Sequence, residues 1–151
     1  MADGSNCGQG NRRAPFADLL DMRAGISKDG IGTVLMSIQD MHRQAAGFVQ
    51  GGIIVTLADF AFHRAVASIS ETGQAAVTVE LKLNFISPAK DGELIATAKI
   101  VSQGRRLIVG EMDVKGEDDI LIARGLGTYM LVQQGREPHR HQAGAGSYTK
   151  S

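Results

Sequence analysis

Gln50-Gly51-Gly52-Ile53-Ile54-Val55-Thr56-Leu57-Ala58-Asp59-Phe60-Ala61-Phe62 is the stretch that decides the fold. It reads as a helix that opens on two glycines. From Ile53 to Ile69 its only ionisable side chains are Asp59, His63 and Arg64. A helix that is apolar nearly all round is a buried helix. A carboxylate inside such a helix is expensive unless it is partnered or neutralised. One that is kept there marks a candidate functional site. The helix start adds free N–H groups and a partial positive charge, and glycine lets a ligand approach the backbone closely. The segment therefore offers an anion-stabilising end at Gly51 and Gly52 and, about two turns further on, the carboxylate of Asp59.

The flanking sequence supplies one layer of sheet for this helix. Upstream, residues 15–22 read as a short helix with Pro15 near its start. Residues 31–41 alternate Val34, Met36 and Ile38 with polar positions and read as a strand, followed by a loop over residues 42–50. Downstream, Thr72-Gly73 ends the helix. Residues 76–86 give the clearest alternation in the chain, with Val77, Val79, Leu81, Leu83 and Phe85 on one face and Thr78, Glu80, Lys82 and Asn84 on the other. A Pro-containing turn over residues 87–92 leads to strands at 93–102, 107–114 and 120–132. Gly125 and Gly127 in the last strand predict a bulge or a close backbone approach. Four strands joined by short links predict an antiparallel sheet, and the one long apolar helix must lie across a face of it. The fold class is α+β.

Composition narrows the function classes. A chain of 151 residues suggests one domain, read here over residues 15–132. Sixteen basic and sixteen acidic residues balance, which argues against a nucleic-acid partner. A single cysteine, Cys7, excludes a disulfide framework and suits a reducing compartment. No signal-like apolar leader is evident, and the apolar helix is too short and too charged to span a membrane. A soluble, cytoplasmic protein is expected. Residues 1–14 and 133–151 are polar and Gly-rich, without apolar periodicity, and read as flexible tails. His139 and His141 are two ligands where a metal site needs more, so no metal is expected.

The ordered series Gly47-Phe48-Val49-Gln50-Gly51-Gly52, Thr56-Leu57-Ala58-Asp59, Val77 through Phe85, Ser87-Pro88-Ala89, Gly92 and Gly104-Arg105-Arg106 resembles the hotdog-fold acyl-coenzyme A thioesterases of the phenylacetate-degradation (PaaI-like) type. The similarity runs from about Phe16 to Val132. It implies an antiparallel sheet wrapped around one long central helix. It also implies hydrolysis of acyl-coenzyme A thioesters without a bound cofactor, coenzyme A being part of the substrate. By resemblance, Asp59 is the catalytic carboxylate, acting as general base or as nucleophile. Gly51 is the first glycine of the family's His-Gly-Gly motif, and its N–H stabilises the oxyanion. Gln44 stands where the family has an Asn or Gln near the scissile carbonyl. Gln50 replaces the motif's histidine.

Further positions carry both an ordinary reading and a functional one. Gly52 and Gln50 belong to the substrate-binding loop. His63 lies one turn after Asp59 and either orients it or is a satisfied helix histidine. Thr78 stands where the family often has a polar side chain reaching the site from the neighbouring subunit. Arg105 and Arg106 suit the coenzyme A phosphates or are solvated turn charges. Phe48, Phe60 and Phe62 suggest an aromatic or medium-length acyl group, or are core. The resemblance implies a homodimer or homotetramer with shared active sites. Two alternatives stay open at this point: a non-catalytic acyl-coenzyme A binding or sensing protein, and a hydratase or dehydratase built on Asp59 and His63.

Overall fold

A computed structural model of the chain describes residues 14–134. Cys7, His139, His141 and most of both expected tails lie outside the described residues. The elements are α1 (Pro15–Leu19), β1 (Met22–Lys28), β2 (Ile31–Ser37), α2 (Gly51–Ala67), β3 (Gln74–Phe85), β4 (Glu93–Gln103), β5 (Leu107–Lys115) and β6 (Leu121–Gln133). The six strands form one antiparallel sheet in the order β1-β2-β4-β5-β6-β3. The single long helix α2 packs on one face of that sheet. This is the hotdog architecture.

One strand escaped the sequence pattern. Residues 20–22 end α1 early, and Met22–Lys28 pairs with β2 as a hairpin. Asp29 and Gly30 both take positive φ (51° and 76°), as a two-residue hairpin turn requires. β2 stops at Ser37, short of the expected 41, because a 3₁₀ turn at Asp40–His42 follows. The expected hairpin from β3 into β4 is also corrected. β3 pairs with β6 at the far edge, and β4 pairs with β2 and β5. Three strand spacings of about 4.8 Å separate β3 from β4, within the roughly 20 Å reach of the six residues 87–92.

The face of α2 that carries Ile54, Leu57, Ala58, Ala61, Phe62, Ala65 and Val66 is buried. Glycines in the facing strands make room for it. A Cβ on Gly110 or Gly127 would collide with the Phe62 ring, and one on Gly32 with the α2 backbone. Gly127 is thus a close approach of the kind its place in the strand predicts. The opposite face of α2 is only half covered, with Ile53, Val55, Asp59 and Phe60 partly exposed and His63 exposed. The helix is therefore buried on one side rather than all round. No helix among the described residues is long and apolar enough to cross a membrane.

The face assignment of β3 also changes. Thr78 pairs with Tyr129 and Glu80 with Thr128, so a bulge places two residues of β3 against one of β6. Alternation breaks at Val79. Leu81 and Leu83 face the helix as expected, but so does Thr78. Val77 and Val79 are 43% and 56% exposed instead of forming core. β3 is an edge strand, with one side of its ladder unpaired.

Candidate active site

The first half of the site is the start of α2. A buried histidine builds the loop that leads into it. His42 is fully buried. Its Nδ1 accepts from the Gln39 N–H at 3.0 Å, and its Nε2–H donates to the Leu20 carbonyl at 3.0 Å. Its own carbonyl accepts from the Gln50 N–H at 2.8 Å, one residue before the helix. The next residue ties the loop to the segment after β3. The Arg43 guanidinium donates to the carbonyls of Gly47 (3.0 Å) and Lys90 and to Asp91 Oδ1 (2.9 Å). The Val49 N–H completes the join by donating to Ala89 O at 2.8 Å.

Between these two segments lies a cavity of about 370 Å³ whose lining includes Gln44, Phe48, Gly51, Phe85, Ile86 and Pro88. Gln44 and Gly51 are thereby brought together, as the sequence reading requires. The Gln44 Oε1 accepts from the Ala46 N–H within its own loop, which leaves the amide nitrogen as the group available to a ligand. The Phe85 ring lies over Gly51, where a Cβ would sit 3.2 Å from its Cζ. Gly52 faces open space. Val49, Ile54, Ser87 and Ala89 complete the lining, so the wall is mostly apolar, with Gln44 and Ser87 as its polar side chains. Of the phenylalanines singled out in the sequence, only Phe48 lines this cavity. Phe60 is half-buried, and Phe62 is fully buried in the core with its ring edge-on to Tyr129 at 4.6 Å. Phe62 is thus core, the ordinary reading of the sequence, and Phe85 lines the cavity beside Phe48.

The second half of the site is the Asp59 carboxylate. Two hydroxyls converge on its Oδ1: Tyr129 donates at 2.6 Å and Thr78 at 3.1 Å. The Tyr129 hydroxyl is also 3.0 Å from the Asp59 main-chain carbonyl. Among the described residues no donor reaches Oδ2. Burial, then the hydrogen bond to Asp59, pushes the Tyr129 hydroxyl well above the usual phenol range, so it stays protonated as a donor. His63 sits one turn on, its ring 6.4 Å from that of Tyr129. Its side chain is exposed, but the part of the ring that packs on its neighbours is desolvated, which lowers its pKa; Asp59 opposes this and Arg64 reinforces it. The Arg64 guanidinium itself turns away, to the carbonyls of Gly25 (2.7 Å) and Ile26 (3.2 Å).

Thr78 thus reaches Asp59 of its own chain. Arg106 lies beside the same end of β6. Its carbonyl accepts from Leu131 N–H at 2.7 Å, and its guanidinium reaches Met130 Sδ at 3.7 Å. Arg105 is exposed in the same turn. Among the described residues no group of three His, Cys, Asp or Glu side chains is placed to hold a metal ion.

The two halves are separate within one chain. Eight residues of helix put Gly51 and Asp59 about 12 Å apart along the axis. A thioester carbonyl over Gly51 is out of reach of the same chain's Asp59.

Residues 46–123 match the family model described as the thioesterase superfamily. The chain is 38% identical over 122 residues to a protein of Archaeoglobus fulgidus, covering 80% of this chain and 77% of that one. It is 33% identical over 98 residues to acyl-coenzyme A thioesterase 13 of the mouse, covering 64% of this chain and 69% of that one. A Bacillus halodurans protein crystallised with CoA superposes with a TM-score of 0.76 at 30% identity, with 82% of each chain covered. The PaaI protein of the Escherichia coli phenylacetic acid degradation operon superposes with a TM-score of 0.74 at 25% identity, over 80% of this chain and 86% of that one. A sheet wrapped on one helix, the Gly51 helix start and these similarities together identify the chain as a PaaI-like hotdog member of the thioesterase superfamily, a thioester hydrolase.

Proposed function

We propose that the protein hydrolyses aromatic or medium-chain acyl-coenzyme A to the free acid and coenzyme A, in active sites shared between two subunits. The observation that carries this reading is the separation of Gly51 from Asp59 along one helix, together with the half-exposed outer face of α2 and the unpaired edge of β3. Pairing two β3 edges would cover both surfaces and bring Gly51 and Gln44 of one chain toward Asp59 and Thr78 of its neighbour.

In this reading the acyl group occupies the cavity lined by Phe48, Phe85 and Ile86. Its mostly apolar walls and its size favour a ring or a short chain over a polar acyl group. The carbonyl lies over the helix start, where the Gly51 N–H and the helix dipole stabilise the oxyanion, with the free amide nitrogen of Gln44 as a further donor. A donor so placed is worth about 3 kcal/mol of barrier. Asp59 of the neighbouring chain either takes a proton from the attacking water or attacks the carbonyl itself, giving an anhydride that water then opens. Coenzyme A leaves as the thiol. Arg105 and Arg106 receive the nucleotide phosphates at the surface. Release of free thiol from a panel of aryl, medium-chain and short polar acyl-coenzyme A substrates tests the assignment. The aryl and medium-chain members should be turned over fastest.

A further inference from the structure

We infer that Tyr129 is the positioning residue of the reaction, anchoring Asp59 through Oδ1 so that Oδ2 is the oxygen presented to the substrate or water. The inference rests on the proposed role of Asp59 and adds to it a residue that neither the chain's motifs nor its local pattern contains.

The geometry that carries it is specific. Tyr129 is 2% exposed, and its ring is gripped by Phe62 at 4.6 Å, so the hydroxyl has little freedom of its own. That hydroxyl lies 2.6 Å from Asp59 Oδ1 and 3.0 Å from the Asp59 carbonyl. One fixed group thus registers both the side chain and the main chain of the same residue. Thr78, its cross-strand partner, adds a second donor to Oδ1 at 3.1 Å. With both donors on one oxygen, the carboxylate cannot rotate without breaking two hydrogen bonds. Oδ2 is left without a donor among the described residues and stays available for chemistry. An aspartate with two free χ angles on a half-exposed helix face would otherwise sample several rotamers, and misplacement by about 1 Å costs on the order of 10² in rate.

Tyr129→Phe is the direct test, because it removes the hydroxyl and keeps the ring against Phe62. The expected result is a fall in kcat of about 10- to 100-fold, with KM changed by less than about twofold and the melting temperature nearly kept. Introduced beside Asp59→Asn, the same substitution should cause no further loss, because Tyr129 acts only through the carboxylate. Should Tyr129→Phe fold poorly, 4-aminophenylalanine at 129 keeps the shape and places an N–H donor where the hydroxyl stood. That enzyme should keep kcat within about tenfold of the parent, because a donor to Oδ1 is retained. The inference is overturned if Tyr129→Phe keeps kcat within about twofold, if kcat and stability fall together with KM, if the two substitutions add in full, or if a folded enzyme with 4-aminophenylalanine at 129 loses more than about 100-fold in kcat. Full activity of Asp59→Asn would instead remove the role of Asp59 itself.

Discussion

Thr78 stands directly across the β3–β6 ladder from Tyr129, and both hydroxyls end on Asp59 Oδ1. The bulge at Val79 makes this possible. Strict alternation would have put Thr78 on the outer face of the sheet with Lys82 and Asn84. One extra residue in β3 turns it inward. The same displacement exposes Val77 and Val79 along the free edge of the sheet. Construction of the carboxylate half of the site and exposure of the edge thus follow from a single irregularity.

The first prediction concerns Gly51. An added methyl would meet the Phe85 ring at 3.2 Å, tighter than ordinary contact. Gly51→Ala should lower kcat/KM by about tenfold or more, because the ring or the bound carbonyl must move. Gly51→Ala with Phe85→Leu should recover part of that loss. Steady-state kinetics on the three enzymes decides it, and an equally poor double variant would exclude the ring as the cause.

Assembly is the second. The exposed edge of β3 and the half-covered face of α2 should be buried between copies of the chain. Light scattering at micromolar concentration should give a dimer or tetramer. A charge placed at Val79, which is 56% exposed in the isolated chain, should shift that equilibrium toward monomer and reduce activity in step.

Much of this was legible from residue pattern alone. α2 announced itself by its apolar run and glycine start, and β4, β5 and β6 by alternation bounded with Gly and polar turns. β1 did not, because Arg23, Ala24, Gly25, Ser27 and Lys28 give an edge strand no apolar face to read; the available signal was Asp29-Gly30 between it and β2. The bulge in β3 was hidden because Val79 is itself a good strand residue. Asp59 and Gly51 could be picked out from their own neighbours. Tyr129 lies seventy residues from Asp59. Its one visible hint was a polar-tipped aromatic within the last expected strand. His42 and Arg43, which shape the loop before Gly51, act through long-range bonds to Leu20, Lys90 and Asp91 that no local pattern encodes.

The third prediction addresses the coenzyme A handle. Replacing Arg105 and Arg106 together by Ala should raise KM for acyl-coenzyme A and flatten its dependence on salt. A pantetheine thioester lacks the nucleotide phosphates and should be handled about as well as by the parent enzyme. Equal damage to both substrates would assign the arginines to the fold or to subunit contact.

His63 gives a pH-dependent stability. Desolvation of its partly packed ring depresses its folded pKa below 6.5, whereas the unfolded chain keeps the ordinary value; because the side chain is exposed, the effect on stability is small. As pH falls through 6.5 the unfolded state takes up the proton first, so stability drops between that value and the lower folded pKa and is flat above it. Urea midpoints at fixed protein concentration from roughly pH 5 to 8 should show this slope, and His63→Gln should reduce it. An unchanged slope would assign the dependence to other groups.

The central claim is that the Asp59 carboxylate performs the chemistry, and Asp59→Asn tests it most directly. The variant keeps the size of the side chain and an acceptor for Tyr129 and Thr78, and removes the charge. Thiol release under steady-state conditions should show kcat reduced on the order of 10²–10⁴, with KM changed far less. A folded, assembled Asp59→Asn enzyme that retains the kcat of the parent would contradict the account.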